Sequence, residues 1–345
     1  MTWAPLLLAD QSPCLRLLVL RELLHLQDTE SEVQELETLR ETDPIVSHLF
    51  TLQANDGSWK EADLGGSSPA GKIQATAQAL TRLGYLGFDM ECPAVQHGVD
   101  YLFSKQEKSG AWPLPSKWEK IERIPGSYSM MPLQTAIPLR GLAACGYATD
   151  SRAELAYEWL LKKRLEDGSW PTGKAGAVLG YVAGYRRLAH SRWGCRSNTT
   201  ASLICLALHP TRRRKPETHR ALDLLLGRET REVQNVGFSV ARTIGIEPQS
   251  GYITYFAKFD LAFILDLCWR VVASKSDERV ADLMNFIQEL QGPYGLWEYI
   301  PHPEASRWVT FDILRSLSRL DESTEWLSME PRTPFRAYQK RGKRF

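Results

Sequence analysis

No stretch of this sequence approaches the roughly 18 consecutive apolar residues that suggest a membrane-spanning helix. Charge of one sign is missing as well. Lys and Arg number 42 against 41 Asp and Glu, for a net charge of +1, which excludes nucleic-acid binding driven by bulk electrostatics. The N-terminus has no basic segment, and Asp10 ends its apolar stretch too early for a signal peptide. Cysteine is sparse: Cys14, Cys92, Cys145, Cys195, Cys205 and Cys268 lie far apart, with no CxxC pair. They read as reduced, mostly buried thiols of a cytoplasmic protein. Strand signals are few, with no Asn-Gly hairpin and no alternation longer than five residues. There is no P-loop, dinucleotide-type Gly pattern, HExxH or GxSxG. No two His stand three or four residues apart, as a helical metal site would require.

Tryptophan is plentiful, at 11 residues, and much of it repeats. A Q-x3-G-x-W pattern occurs at Gln53/Gly57/Trp59, Gln106/Gly110/Trp112 and Gln291/Gly295/Trp297. Arg164/Gly168/Trp170 is a fourth copy with Arg in place of Gln. The interval from Gly168 to Gly295 is about twice the others, so one copy has decayed, near Gln234 to Phe238. An amphipathic stretch precedes each copy, with apolar residues three and four apart. The Gly is expected to cap that helix in the left-handed conformation. The Trp is expected to pack over the helix end, and the Gln amide to meet open backbone groups there.

A less charged helix is expected after each copy: Ile73–Leu83, Tyr128–Cys145, Asn198–Leu208, Tyr255–Val271 and Arg307–Leu320, with Cys14–Leu26 as a sixth. Pro132 and Pro138 should bend or break the second of these. The expected amphipathic partners are Val33–Leu52, Ala94–Lys105, Ala153–Lys163, Glu217–Leu226 and Arg279–Leu290. Alternation of the two kinds implies two concentric rings: an all-α fold, a single α/α toroid of about six hairpins over residues 1–330, followed by a basic tail, 331–345.

The helix–Q-x3-G-x-W–helix unit resembles the QW repeat of squalene–hopene and related triterpene cyclases, and the related repeats of protein prenyltransferase β subunits. The resemblance covers about residues 45 to 320. It implies an α/α toroid whose motif Gln and Trp residues tie outer helices together. It implies no particular reaction, because neither DxDD nor DCTAE, the acid motifs of the cyclases, occurs here. Protonating an alkene needs an unusually strong acid. The acids left on presumed inner helices are Asp260 and Asp266, in Phe259-Asp-Leu-Ala-Phe-Ile-Leu-Asp266-Leu-Cys268-Trp269. Six residues apart, they point about 120° away from each other and form no dyad on one helix. The prenyltransferase resemblance singles out Asp266-x-Cys268 as two ligands of a zinc site. The third ligand, a His, would fall at Val309 or Thr310, so the set is incomplete and no cofactor is expected. Such transferases also need an α subunit.

A ring of inner helices leaves a central cavity, with Tyr255, Phe256, Phe259, Phe263, Trp269, Trp308 and Phe311 as candidates for its lining. Aromatic walls suit an isoprenoid or similar apolar ligand, or a carbocation. Three functions stay open: a terpene cyclase- or prenyltransferase-like protein, a non-catalytic scaffold or lipid-binding toroid, and a glycan-active enzyme with paired carboxylates. Arg212–Lys215 and the tail residues Arg332, Arg336, Lys340, Arg341, Lys343 and Arg344 offer charge for an anionic membrane surface or an acidic partner. Phe335, Tyr338 and Phe345 would also suit docking of the tail over the toroid rim.

Overall fold

The computed structural model describes residues 3–60, 64, 71–112, 131–172, 174–175, 178–179, 187–188, 191–227, 235–247, 260–322 and 335–338. Among them are fourteen α-helices. The first four are α1 (Ala4–Leu8), α2 (Pro13–Glu22), α3 (Ser31–Leu39) and α4 (Pro44–Leu52). Next come α5 (Gly71–Tyr85), α6 (Pro93–Ser104), α7 (Pro132–Ala144), α8 (Ser151–Lys162), α9 (Arg196–Leu208) and α10 (Pro216–Leu226). The last are α11 (Phe238–Thr243), α12 (Leu261–Arg270), α13 (Glu278–Glu289) and α14 (Ser306–Glu322). A two-residue antiparallel ladder joins β1 (Lys174–Ala175) to β2 (Val178–Leu179). The fold is all-α.

Start signals in the sequence place the helices. Pro opens α2, α4, α6, α7 and α10, where a missing N–H costs nothing. Ser12, Asp43, Asp150, Asp260 and Asp277 accept an N–H of the first turn of α2, α4, α8, α12 and α13. The Asp43-Pro44 pair also divides the expected Val33–Leu52 helix into α3 and α4. Pro138 does not break α7, which runs unbroken from Pro132 to Ala144. α7 is packed between α5 and α9, with Leu139 and Leu142 fully buried. That burial offsets the ~3 kcal/mol an interior proline costs.

The helices form an α/α toroid. In the inner ring α5 packs on α7, α7 on α9, α9 on α12, α12 on α14 and α14 on α2. The rings of Tyr85 and Trp308, 6.0 Å apart, close α5 against α14. Outside them α6 lies on α5, α8 on α7, α10 on α9 and α13 on α12.

The repeated motif stitches each hairpin to the next. Trp59, Trp112, Trp170 and Trp297 donate their indole N–H to the carbonyls of Leu49, Leu102, Leu160 and Ile287, at 2.7–2.8 Å. These carbonyls lie in the last turn of outer helices, where the regular ladder of helical hydrogen bonds runs out. Gln53 Nε2 reaches the carbonyls of Gly57 and Ala94, and Gln106 Nε2 those of Gly110 and Arg152, so each ties its own turn to the next outer helix. The glycines are left-handed, but they do not cap helices. α4 ends at Leu52, and Gly57, at φ +81°, sits in the turn beyond it. A Cβ there would lie 2.2 Å from the His97 carbonyl oxygen.

The decayed copy departs from this scheme. Gly237 keeps the left-handed conformation, at φ +100°, but the chain then enters the short helix α11. α11 touches α5, α12 and α14, and its Ser239, Val240 and Thr243 face a cavity shared with Arg140 of α7 and Leu208 of α9. It therefore lies inside the ring and fills part of the hole.

Candidate functional site

Two cavities open at opposite ends of α11 and α12. The first is the centre of the toroid, about 230 Å³, between the C-terminal halves of α2, α5, α7, α9, α12 and α14. Its wall is charged: Arg140, Arg270, Arg315 and Arg319 against Glu22, Asp266 and Asp312. Asp266 accepts from Trp269 Nε1 at 2.9 Å and from Arg270 Nε at 2.7 Å. Arg315 pairs with Asp312 and stands 3.7 Å from Asp266 and 3.6 Å from Glu22. Arg319 binds Glu22 at 3.0 Å. The Trp269 ring is held between the Arg270 and Arg319 guanidiniums, each 4.5 Å from its centroid.

Burial pushes the Asp312 carboxyl up to about 6, against the pull of Arg315. At Asp266 burial acts the same way, but Arg270 and Arg315 outweigh it and hold the carboxyl below its usual range. Neither is a strong free acid. The two flank Arg315, so they form a salt-bridged cluster rather than a spaced acid–base pair.

The second cavity, about 950 Å³, lies beside the third Q-x3-G-x-W copy. Val236, Phe238, Leu261, Phe286, Leu290, Trp297 and Ile300 give it apolar walls. One corner is polar. The Tyr299 hydroxyl donates to Glu247 Oε2 at 2.7 Å, and His302 Nε2 stands 3.6 Å from the same oxygen. Burial and then that carboxylate push the Tyr299 hydroxyl well up. Tyr338 of the tail stacks on Phe286 at 5.3 Å, and its N–H donates to Asp282 Oδ2. That segment of the tail thus docks on α13.

Of the residues singled out from sequence, Asp266, Phe263 and Trp269 face the central cavity. Asp260 does not. It is fully buried at the start of α12, accepting the N–H groups of Gly237, Ser239 and Ala262. Trp308 packs on Tyr85, and Phe311 is fully buried, with the Arg315 guanidinium 5.1 Å from its ring. Tyr255, Phe256 and Phe259 lie outside the described residues. The central lining is thus charged where aromatic walls were expected. The charge comes from α2, α7, α12 and α14, and α11 takes up part of the space an apolar ligand would fill.

The zinc pair does not fit. Cys268 is fully buried, and burial raises its thiol far above the usual range, so the thiolate a metal needs is disfavoured. The position of the missing His is taken by Thr310, whose hydroxyl accepts the Trp297 N–H. Among the described residues no three His, Cys, Asp or Glu side chains converge as a metal site. Arg140, Arg315, Arg319, Glu22 and Asp312 escaped sequence reasoning, although the Asp312/Arg315 spacing of three on an inner helix was a usable signal.

Comparison with known proteins agrees with the repeats. Residues 25–181 match the family model of the squalene–hopene cyclase C-terminal domain. That span holds the motif copies at Trp59, Trp112 and Trp170. Lanosterol synthase of Candida albicans is 28% identical over 127 residues, 36% of this chain and 17% of that protein. The aligned segment is therefore under a fifth of that relative. Among solved structures, the type II terpene cyclase MstE from Scytonema is 14% identical with a TM-score of 0.32, covering 81% of this chain and 97% of that one. A variant of it in complex with geranylgeranyl dihydroxybenzoate gives 14% and 0.34, covering 81% and 96%. A protein from Actinoplanes gives 14% and 0.31, covering 80% and 97%. At these scores the likeness carries no argument about substrate or reaction. The chain is terpenoid cyclase-like in its repeats and in the family match to residues 25–181. No helix among the described residues is long and apolar enough to cross a membrane.

Proposed function

We propose that this protein binds an isoprenoid-type or similar apolar molecule in the pocket beside Trp297, and that it does so without cyclising it. The observation that supports this is the pocket itself. Its volume, about 950 Å³, falls within the ~300–1,000 Å³ of small-molecule sites, and its mostly apolar wall carries few polar groups. The terpenoid cyclase-like repeats raise the prior for an isoprenoid over other apolar molecules. Against alkene protonation stands the weakness of the acids. Asp312 and Asp260 are each pushed up to about 6, chiefly by burial, and Asp266 is committed to Arg270 and Trp269. The domain assignment that goes with this function is one toroid over residues 1–330 and a basic tail beyond. The cytoplasm suits a chain whose six thiols are all free.

The test is direct binding. Freshly purified protein would be extracted with organic solvent and its co-purified lipids identified by mass spectrometry. Farnesol and geranylgeraniol would then be titrated while following tryptophan fluorescence. Saturable binding lost on Leu261→Glu, which puts a charge into the pocket wall, is the expected result. No isoprenoid in the extract and no saturable binding of either alcohol would reject the proposal.

A further inference from the structure

The polar corner of the apolar pocket offers chiefly hydrogen-bond acceptors. We propose that this corner reads the ligand's polar end through Glu247: it takes an end that donates a hydrogen bond, an alcohol or an ammonium, and rejects a carboxylate or phosphate. The choice of head group rests on the pocket binding an apolar molecule at all, and adds the chemistry of that molecule's polar end.

The first ground is a buried carboxylate short of donors. Glu247 lines the pocket, and its side chain is only 6% exposed. Among the described residues it accepts one hydrogen bond, from the Tyr299 hydroxyl to Oε2. His302 Nε2, 3.6 Å from the same oxygen, stands beyond hydrogen-bond reach. Oε1 accepts none. A carboxylate drawn out of water is costly unless its oxygens are bonded, so a donor entering the pocket meets an acceptor whose desolvation is already part of the fold. The Tyr299 proton is committed to Glu247, which leaves the phenol oxygen free only to accept.

The second ground is charge. Among the described residues that line the pocket there is no Lys or Arg, while Glu247 and Glu298 both face it. His302, the one basic group, stands between Glu247 and Glu304, 3.6 and 3.7 Å from their oxygens. Other groups work in the opposite direction. Arg242 feels the Glu247 charge and offsets part of it, but it does not line the pocket. α11 and α12 also bring their starts to the pocket wall, at Phe238 and Leu261, and a helix start favours anions. Those starts are already answered: Asp260 accepts the N–H groups of Gly237, Ser239 and Ala262. An anionic head would thus meet two carboxylates and at most one charged histidine, whereas a hydroxyl or ammonium would meet open lone pairs.

Four ligands with one chain test the choice: farnesol, farnesylamine, farnesoic acid and farnesyl methyl ether, titrated into the full chain at pH 8 while following tryptophan fluorescence. At that pH the acid is a carboxylate and the amine an ammonium. The ether keeps the oxygen but cannot donate. Farnesol and farnesylamine are expected to bind about tenfold more tightly than the acid, or better, and more tightly than the ether. Glu247→Gln keeps an acceptor for Tyr299 and removes the charge. It should weaken the amine about tenfold, strengthen the acid and change the alcohol least. The ligand series on the unmodified chain decides the matter even if that variant does not fold. Ether binding as tight as farnesol, acid binding as tight as the alcohol or the amine, or an equal change in all four affinities on Glu247→Gln would overturn the head-group choice and leave the apolar pocket standing. Saturation by none of the four would overturn both.

Discussion

The backbone N–H of Trp170 donates to Thr199 Oγ1 at 3.0 Å, joining the end of one repeat to the inner helix that follows it. The same bond recurs from Trp59 to Thr76, from Trp112 to Thr135 and from Trp297 to Thr310. In the decayed copy the N–H of Ser239, two residues after the left-handed Gly237, goes to Asp260 Oδ2 instead. Asp260 thus stands where the threonines stand elsewhere, which explains a buried carboxylate without calling on catalysis.

Removing one threonine hydroxyl should therefore expose the cost of an orphaned donor. All four threonines are fully buried, and an unsatisfied buried N–H costs about 1–3 kcal/mol. Thr199→Val is expected to lower the free energy of unfolding by that amount in a urea titration, with Thr199→Ser much milder. A larger loss for Ser than for Val would mean that packing of the methyl group, not the hydrogen bond, sets the cost.

These threonines also mark where the sequence stops being legible. The Gln, Gly and Trp positions stand at fixed spacing, because they build one local turn, and the inner and outer helices follow from apolar periodicity. The threonine lies 13, 17, 23 or 29 residues after its Trp, because the connecting segment varies in length, so no pattern search finds it. The central site is harder still. Glu22, Arg140, Asp266 and Arg315 come from four helices that only ring closure brings together. α11 was hidden for a third reason: six residues are too few to show a helical period.

The buried position of Asp260 gives a pH signature. Burial raises its carboxyl from 3.8 to about 6 in the folded chain, against four backbone N–H groups that lower it. Between those values the folded state holds a proton that the unfolded state has lost. Stability should therefore fall as pH rises from 4 to 6 and level off above. A shift of about two units corresponds to about 3 kcal/mol. Asp260→Asn cannot ionise and should remove its share of that slope, leaving the part due to Asp312, which is also raised to about 6. Denaturation midpoints with an unchanged slope would place the Asp260 pKa near its ordinary value.

Two glycines separate backbone strain from steric clash. Gly57 and Gly87 are both left-handed, at φ +81° and +89°. Around Gly87 an added Cβ meets only Arg40 Nη1, at 4.0 Å, whereas at Gly57 it would strike the His97 carbonyl oxygen at 2.2 Å. Gly87→Ala should cost only the ~1–2 kcal/mol of the left-handed conformation. Gly57→Ala should cost clearly more, since α6 must move or the turn must open, and it should disturb the Gln53 bond to Ala94 as well. Thermal melts of the pair measure the difference directly.

Arg315 holds the central carboxylates together, and its loss should show as a stability defect that acid repairs. Arg315 is 5% exposed, and its guanidinium faces Asp312, Asp266 and Glu22. Burial would lower its pKa, but the three acids more than reverse that. Arg315→Leu removes the guanidinium that lies over the Phe311 and Tyr85 rings and leaves Asp312 buried without its cation. Breaking a buried pair from one side costs about 3–5 kcal/mol. Asp312 is already raised to about 6 with Arg315 present, so without it the folded-state pKa must rise further. The folded variant then holds the Asp312 proton to higher pH than the wild type does. Its deficit should therefore be full at pH 8 and shrink as pH falls through 6, while Arg315→Lys, which keeps a cation, should show a small deficit at both. A deficit for Arg315→Leu that does not change with pH would mean that the cost does not come from the Asp312 charge left without its cation.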